Sequence, residues 1–172
     1  MRKKLLSIIT ASCLTFACLG VAQIHADEAR FDDANAQAAL DRINAIRAEA
    51  HAENIKVIWG NNDAYYAQAN VANGTPLSWG TTAIDYARVR AEEQVERSGH
   101  QRPNKEWSTA GAGGNSLENL AYSSGARDML WAVNYWYSEK PYYLQHLAHM
   151  EDPSQPDTTQ AWGHYNAMLQ ND

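Results

Sequence analysis

Both cysteines of this 172-residue chain, Cys13 and Cys18, stand inside one N-terminal apolar segment, and no other sequence feature constrains the fold as much. If that segment is removed on export, the rest of the chain has no thiol and must be held by a buried core without any disulfide. The segment has the build of a secretory leader. Arg2, Lys3 and Lys4 precede a mostly apolar run over residues 5–22, and Gln23-Ile24-His25-Ala26 ends on a small residue before Asp27. A membrane span needs about 20 apolar residues, and Ser7, Thr10, Ser12 and Thr15 dilute a run that is already short. The expectation is a leader at 1–26, cleaved near Ala26, followed by one domain at 27–172 that can bury a core unaided. Lipid attachment at Cys18 is the lesser alternative, because Thr15 stands where a Leu is expected. Export without cysteine points to a bacterial source.

The formal net charge is −6, and the three cations of the leader are unmatched by any acid there, which leaves −9 for residues 27–172. Phosphate binding needs a basic face, so no nucleic-acid partner is expected. No repeat or long linker divides the remainder, and turn-rich breaks fall at 60–62, 73–76, 110–116 and 152–157. Apolar residues recur at helical spacing through Leu40, Ile43, Ile46 and Ala50, which predicts a helix over 36–51. Ile84, Ala87, Ala91 and Val95 predict a second over 81–96. A third is expected over 128–138, ended by Pro141, which lacks the backbone N–H a continuing helix needs. A shorter helix is expected over 63–72, and a strand over 161–169.

Few residues in the exported part can do chemistry. His51 reads as a solvated or capping side chain at a helix end. His146 and His149 lie three apart, adjacent on a helix face, and such a pair can hold a metal, although no zincin pattern accompanies them. His100 and His164 each follow a glycine where regular structure stops, a context that lets the backbone turn and project the ring. Glu118 lies between apolar residues after a glycine-rich loop. Glu139 lies at a helix C-terminal end, where an acid does not help the helix.

In chain order the sequence carries Gly99-His100 with Arg102-Pro103, then Glu118-Asn119-Leu120-Ala121, then Trp136-Tyr137-Ser138-Glu139, then Gly163-His164-Tyr165. Each motif is short, but the ordered set resembles the CAP superfamily, named for cysteine-rich secretory proteins, antigen 5 and pathogenesis-related 1 proteins and also known by its SCP domain. The likeness is to its cysteine-free branch in Gram-positive bacteria. The resemblance implies an α+β fold, an α-β-α sandwich with a central antiparallel sheet, and a surface cleft in which His100, Glu118, Glu139 and His164 converge. It also implies a divalent metal, commonly zinc, on His100 and His164 with the carboxylates nearby. Family domains continue past the last motif through further strands, whereas eight residues follow His164, so the sheet is expected to lack its last strands and the chain to be C-terminally incomplete.

A fold and a cleft do not dictate a reaction. The expected function is a secreted extracellular module, free or associated with the cell wall, that binds a lipid, a wall component or a protein. No transmembrane anchor is expected after leader cleavage. Aromatics such as Trp107, Trp131, Tyr135, Trp136, Tyr142, Tyr143 and Trp162 suit sugar or apolar recognition. The alternative is a metal-assisted hydrolase, a peptidase or wall hydrolase, in which zinc on His100 and His164 activates water and Glu118 or Glu139 is the catalytic base. Two nitrogens are a thin set for catalytic zinc, which usually takes three protein ligands, and this favours the binding reading.

Overall fold

The computed structural model describes residues 7–13, 18–22, 33–58, 70–112, 117–124 and 127–170. It contains five helices and two small antiparallel sheets among those residues, a mixed α+β class. The chain divides into two compact units, Met1–Arg42 with Leu77–Ala132 and Ile43–Pro76 with Val133–Asp172. Helix α1 (Asp33–Ala52) begins in the first and ends in the second. It buries Leu40, Ile43, Ile46 and Ala50, the stripe that the helical spacing predicts, and with them Ala36 and Ala39. Removing a side chain such as Ile43 or Ile46 from water stabilises by about 1.5–3 kcal/mol.

In the first unit, strands β1 (Ser7–Cys13) and β2 (Cys18–Ala22) pair antiparallel, and β1 also pairs with β5 (Leu117–Ser123), giving the order β2-β1-β5. In that register Ser12 lies opposite Glu118 and Ile9 opposite Ala121. Two of the three strands therefore come from the stretch read as a leader. Helix α2 (Thr81–Glu96) has the predicted bounds and part of the predicted face, since Ala87 and Ala91 are buried and Ile84 packs partly buried against Ala83 and Ala87. It buries Ala83, Ala87, Arg90, Ala91 and Gln94, while Val95 is 60% exposed. Apolar spacing picked Val95 and passed over Arg90 and Gln94 because it scores no polar side chain as buried. Arg90 and Gln94 are buried because their polar atoms find partners inside.

In the second unit, β3 (Lys56–Val57) pairs with β4 (Asn70–Val71), Lys56 opposite Val71. The helix expected over 63–72 lies mostly outside the described residues, and its last part is β4 instead. The helix expected over 128–138 is α3 (Met129–Tyr137), and Pro141 lies in the first turn of α4 (Lys140–Glu151), where the missing N–H costs no hydrogen bond. The clearest correction concerns 161–169, expected as a strand, which is helix α5 (Gly163–Leu169). Its first turn is capped by a side chain far away in sequence, a signal no local pattern carries. The helix is then fixed on two sides. The Asn166 amide closes on the backbone of Ile58, Oδ1 accepting from its N–H at 3.1 Å and Nδ2 donating to its carbonyl at 2.7 Å. Buried Arg47 donates to the carbonyls of Met168 (2.8 Å) and Gln170 (3.0 Å), and through Nε to Thr75 (2.9 Å).

Candidate functional site

Each of the two histidines singled out by the sequence is paired with one of the two glutamates, His100 with Glu118 and His164 with Glu139. In the first unit His100 Nδ1 lies 2.8 Å from Glu118 Oε2. An ionised carboxylate has no proton to give, so Nδ1–H donates and the lone pair is left on Nε2. The Glu118 side chain is 2% exposed and that of His100 is 38% exposed, so the acid lies inside and the ring reaches the surface. Trp107 stacks on the imidazole, ring centroids 5.7 Å apart and planes inclined by 26°.

The backbone before the ring is held as closely. Gly99 has φ +104°, left-handed backbone that an L side chain rarely adopts, and no atom of the fold occupies the space its Cβ would take. Its N–H donates to Gln94 Oε1 (2.7 Å) and to the Tyr122 hydroxyl (2.9 Å), and its carbonyl accepts from Gln94 Nε2 at 3.0 Å. Behind this lies a run of charges. Arg90 binds Glu118 and Glu93, and Glu93 accepts from Arg102 Nη2 at 2.6 Å. Burial opposes ionisation of Glu93, yet hydrogen bonds from Arg102 and Arg90 prevail and hold its carboxyl below the ordinary 4.5. Burial likewise opposes the charge on Arg90, and its bonds to Glu118 and Glu93 outweigh it and raise the guanidinium above its usual value. Arg102 Nη1 also reaches the Tyr86 hydroxyl (3.1 Å) and the carbonyl of Ala110 (3.1 Å), tying down the loop that carries Trp107.

In the second unit His164 Nδ1 lies 2.7 Å from Glu139 Oε1, by the same logic a donor. Glu139 Oε2 accepts from the backbone N–H groups of His164 (3.0 Å) and Tyr165 (3.3 Å). These are free donors of the first turn of α5, and a negative charge there is favoured. Glu139 follows α3 and stands at the N-cap of α4, yet its side chain makes no capping bond to that helix. Its use is on a third helix. Trp136, fully buried, stacks on His164 at 6.1 Å with planes inclined by 21°. Both motif histidines thus share one local plan, a carboxylate on Nδ1 and an indole against the face.

Compared with models of known families, with curated proteins and with solved structures, the chain matches none.

The other histidines lie elsewhere. His51 Nδ1 approaches the carbonyl of Ala72 at 2.8 Å. His146 and His149 are on one helix, as the spacing requires, but their Nδ1 atoms go to Asp157 Oδ1 (2.9 Å) and the carbonyl of Gln155 (2.7 Å), and His146 stacks on Trp162 at 4.3 Å. They fasten the 152–157 segment to α4. Among the described residues no three His, Cys, Asp or Glu side chains gather as a cation cluster, and no helix is long and apolar enough to cross a membrane. The donor chemistry of each motif pair still fits a divalent cation. A carboxylate on the second ring nitrogen is the usual support of a metal-ligating histidine, because it fixes the tautomer and raises the basicity of the other nitrogen. Sequence reasoning missed Arg90, Gln94 and the stacking role of Trp107. Arg90 and Gln94, at helical spacing from Ala83, Ala87 and Ala91, are the signal that was present.

Proposed function

We propose that the chain is an exported, extracellular binding domain of the CAP type, an α-β-α sandwich whose motif histidines present Nε2 to a divalent cation, zinc foremost, and to a lipid, cell-wall or protein ligand. The observation that carries the proposal is the repeated pairing. Two histidines found by motif order each have Nδ1 on a mostly buried glutamate, side chains 2% and 9% exposed, while the rings are 38% and 27% exposed. His146 also has a carboxylate on Nδ1 and an indole on its face, but its burial is reversed, the ring side chain 7% and the acid 40% exposed, so a buried acid under an outer ring is what sets the two motif pairs apart.

The same geometry favours recognition over hydrolysis. A catalytic base must reach a substrate proton or a water. Glu118 is engaged by Arg90 and His100, and Glu139 by His164 and the N–H groups of α5, so both carboxylates serve as supports for the imidazoles. A bound cation would supply a fixed positive charge to an anionic or carbonyl-bearing ligand. Leader cleavage after Ala26 and secretion, free or wall-associated, belong to the same reading.

Calorimetric zinc titration of the purified chain tests it. Binding that is lost on His100→Ala or His164→Ala, and kept when His146 and His149 are replaced together, is the expected result. Affinity should fall in acid, because ligating imidazoles must be neutral. Zinc binding that survives both single variants and disappears with His146 and His149 would overturn the assignment. Release of products from purified cell wall or protein, abolished by chelator, would replace the binding reading with a hydrolytic one.

A further inference from the structure

Arg90 is the residue in which the support of His100 comes together. Its side chain is completely buried, and its donors are divided between the two things that determine where the imidazole sits. Nε donates to Glu118 Oε1 at 2.8 Å, and Nη2 approaches Oε2 at 3.3 Å, so the guanidinium fork grips the carboxylate that holds the ring. Nη2 also donates at 2.9 Å to the carbonyl of Gly99, the residue immediately before His100, and so grips the backbone as well. Nη1 donates at 2.6 Å to Glu93 Oε2, and Glu93 is locked in turn by Arg102. A planar fork with five fixed donors can do this; a lysine, with a single compact ammonium, cannot span the same partners.

We infer that Arg90 is the positioning residue of His100: acting through Glu118 and the Gly99 carbonyl, it fixes the imidazole in the Nδ1–H tautomer with Nε2 directed outward. Arg90 does not meet the ligand itself. Its two contacts with Glu118 hold that buried carboxylate with Oε2 toward the ring, and an acceptor opposite Nδ1 admits a single tautomer. The arrangement in the other unit underlines the point. Among the described residues no arginine bonds to Glu139, which receives backbone N–H groups of α5, so loss of Arg90 should disturb His100 and leave His164 as it was.

The consequence for ligand binding rests on the proposed function, but the test reads the tautomer with no metal present. Nitrogen-15 spectra of the imidazoles, recorded on the full chain at alkaline pH, are expected to show His100 as one Nδ1–H tautomer in the wild type, a mixture in Arg90→Met, and an intermediate population in Arg90→Lys. The His164 signals should not move. Zinc affinity of the Arg90→Met chain should drop about 10- to 100-fold, as for loss of a residue supporting a metal ligand. A folded Arg90→Met chain with the wild-type His100 spectrum overturns the inference, and so does an unchanged Arg90→Lys spectrum should the Met variant not fold. The wild type gives a third reading. The guanidinium N–H signals of Arg90 should be resolved and slow to exchange, and freely averaged signals would refute the clamp. Failure of zinc to bind the wild type would sink the proposed function and leave the tautomer result standing.

Discussion

Replacing Glu139 by alanine removes one carboxylate and, with it, the cap of α5 and the support of His164. Three contacts end on that group, at 2.7, 3.0 and 3.3 Å. Hydrogen bonds to a charged group contribute about 1.5–3 kcal/mol each. Counting the two shorter contacts at the low end and neglecting the longest, because the ion's own desolvation offsets part of the gain, leaves about 3 kcal/mol. In a chain of this size each kcal/mol moves the thermal midpoint by about 2–4 °C, so a fall of about 6–12 °C is expected. Glu139→Gln retains one acceptor oxygen, which can serve the α5 N–H groups or the ring but not both, and should lose about half as much. Urea unfolding followed by far-ultraviolet circular dichroism measures both variants against wild type. Glu139→Ala within about 0.5 kcal/mol of wild type, the range of ordinary surface changes, would refute the reasoning, since a cap that matters cannot be deleted without effect.

Other outcomes follow from the same contacts. Tyr165→Phe removes a buried hydroxyl that has no partner among the described residues, so stability in urea should be unchanged or higher by up to about 1 kcal/mol; a loss above that would mean the hydroxyl is bonded after all. Gly99→Ala has room for its methyl group but not the backbone for it, and should cost about 1–2 kcal/mol by thermal unfolding, with His100 Nδ1 losing its single environment. Glu93, held below the ordinary 4.5 by Arg102 and Arg90 against the effect of burial, stabilises the fold above that value, and this contribution disappears as pH falls through its lower folded value. Glu93→Gln should therefore flatten the acid limb of the stability curve, and an unaltered limb would count against the ion-pair account.

The parts of the molecule that local pattern determines were legible. Helix α1 and the bounds of α2 follow from apolar spacing, because a period near 3.6 has one structural reading at that length. The pairing of each motif histidine with a glutamate was anticipated only through family resemblance, since 18 residues separate His100 from Glu118 and 25 separate Glu139 from His164. What failed was whatever depends on a distant partner. The stretch 163–169 lacks a capping residue of its own, since Trp162 stands at the N-cap without a side-chain bond, and only Glu139 makes a helix start there reasonable. Arg90 and Gln94 escaped notice for the converse reason. Binary patterning treats a charge on a helix as outward, and only the presence of Glu118, Glu93 and Gly99 inside the fold makes the inward placement favourable.

The indoles stacked on the two histidines also give the molecule two optical reporters of different character. Trp107, 60% exposed, should emit at long wavelength and be reached by an aqueous quencher such as iodide, whereas Trp136, with no accessible surface, should emit at short wavelength and be protected. A ligand that settles on His100 would shield the first, and one that settles on His164 would alter the second without changing its protection. In a chain whose other four tryptophans, Trp59, Trp79, Trp131 and Trp162, are replaced by phenylalanine, quencher-resolved fluorescence would therefore separate events at the two imidazoles by colour.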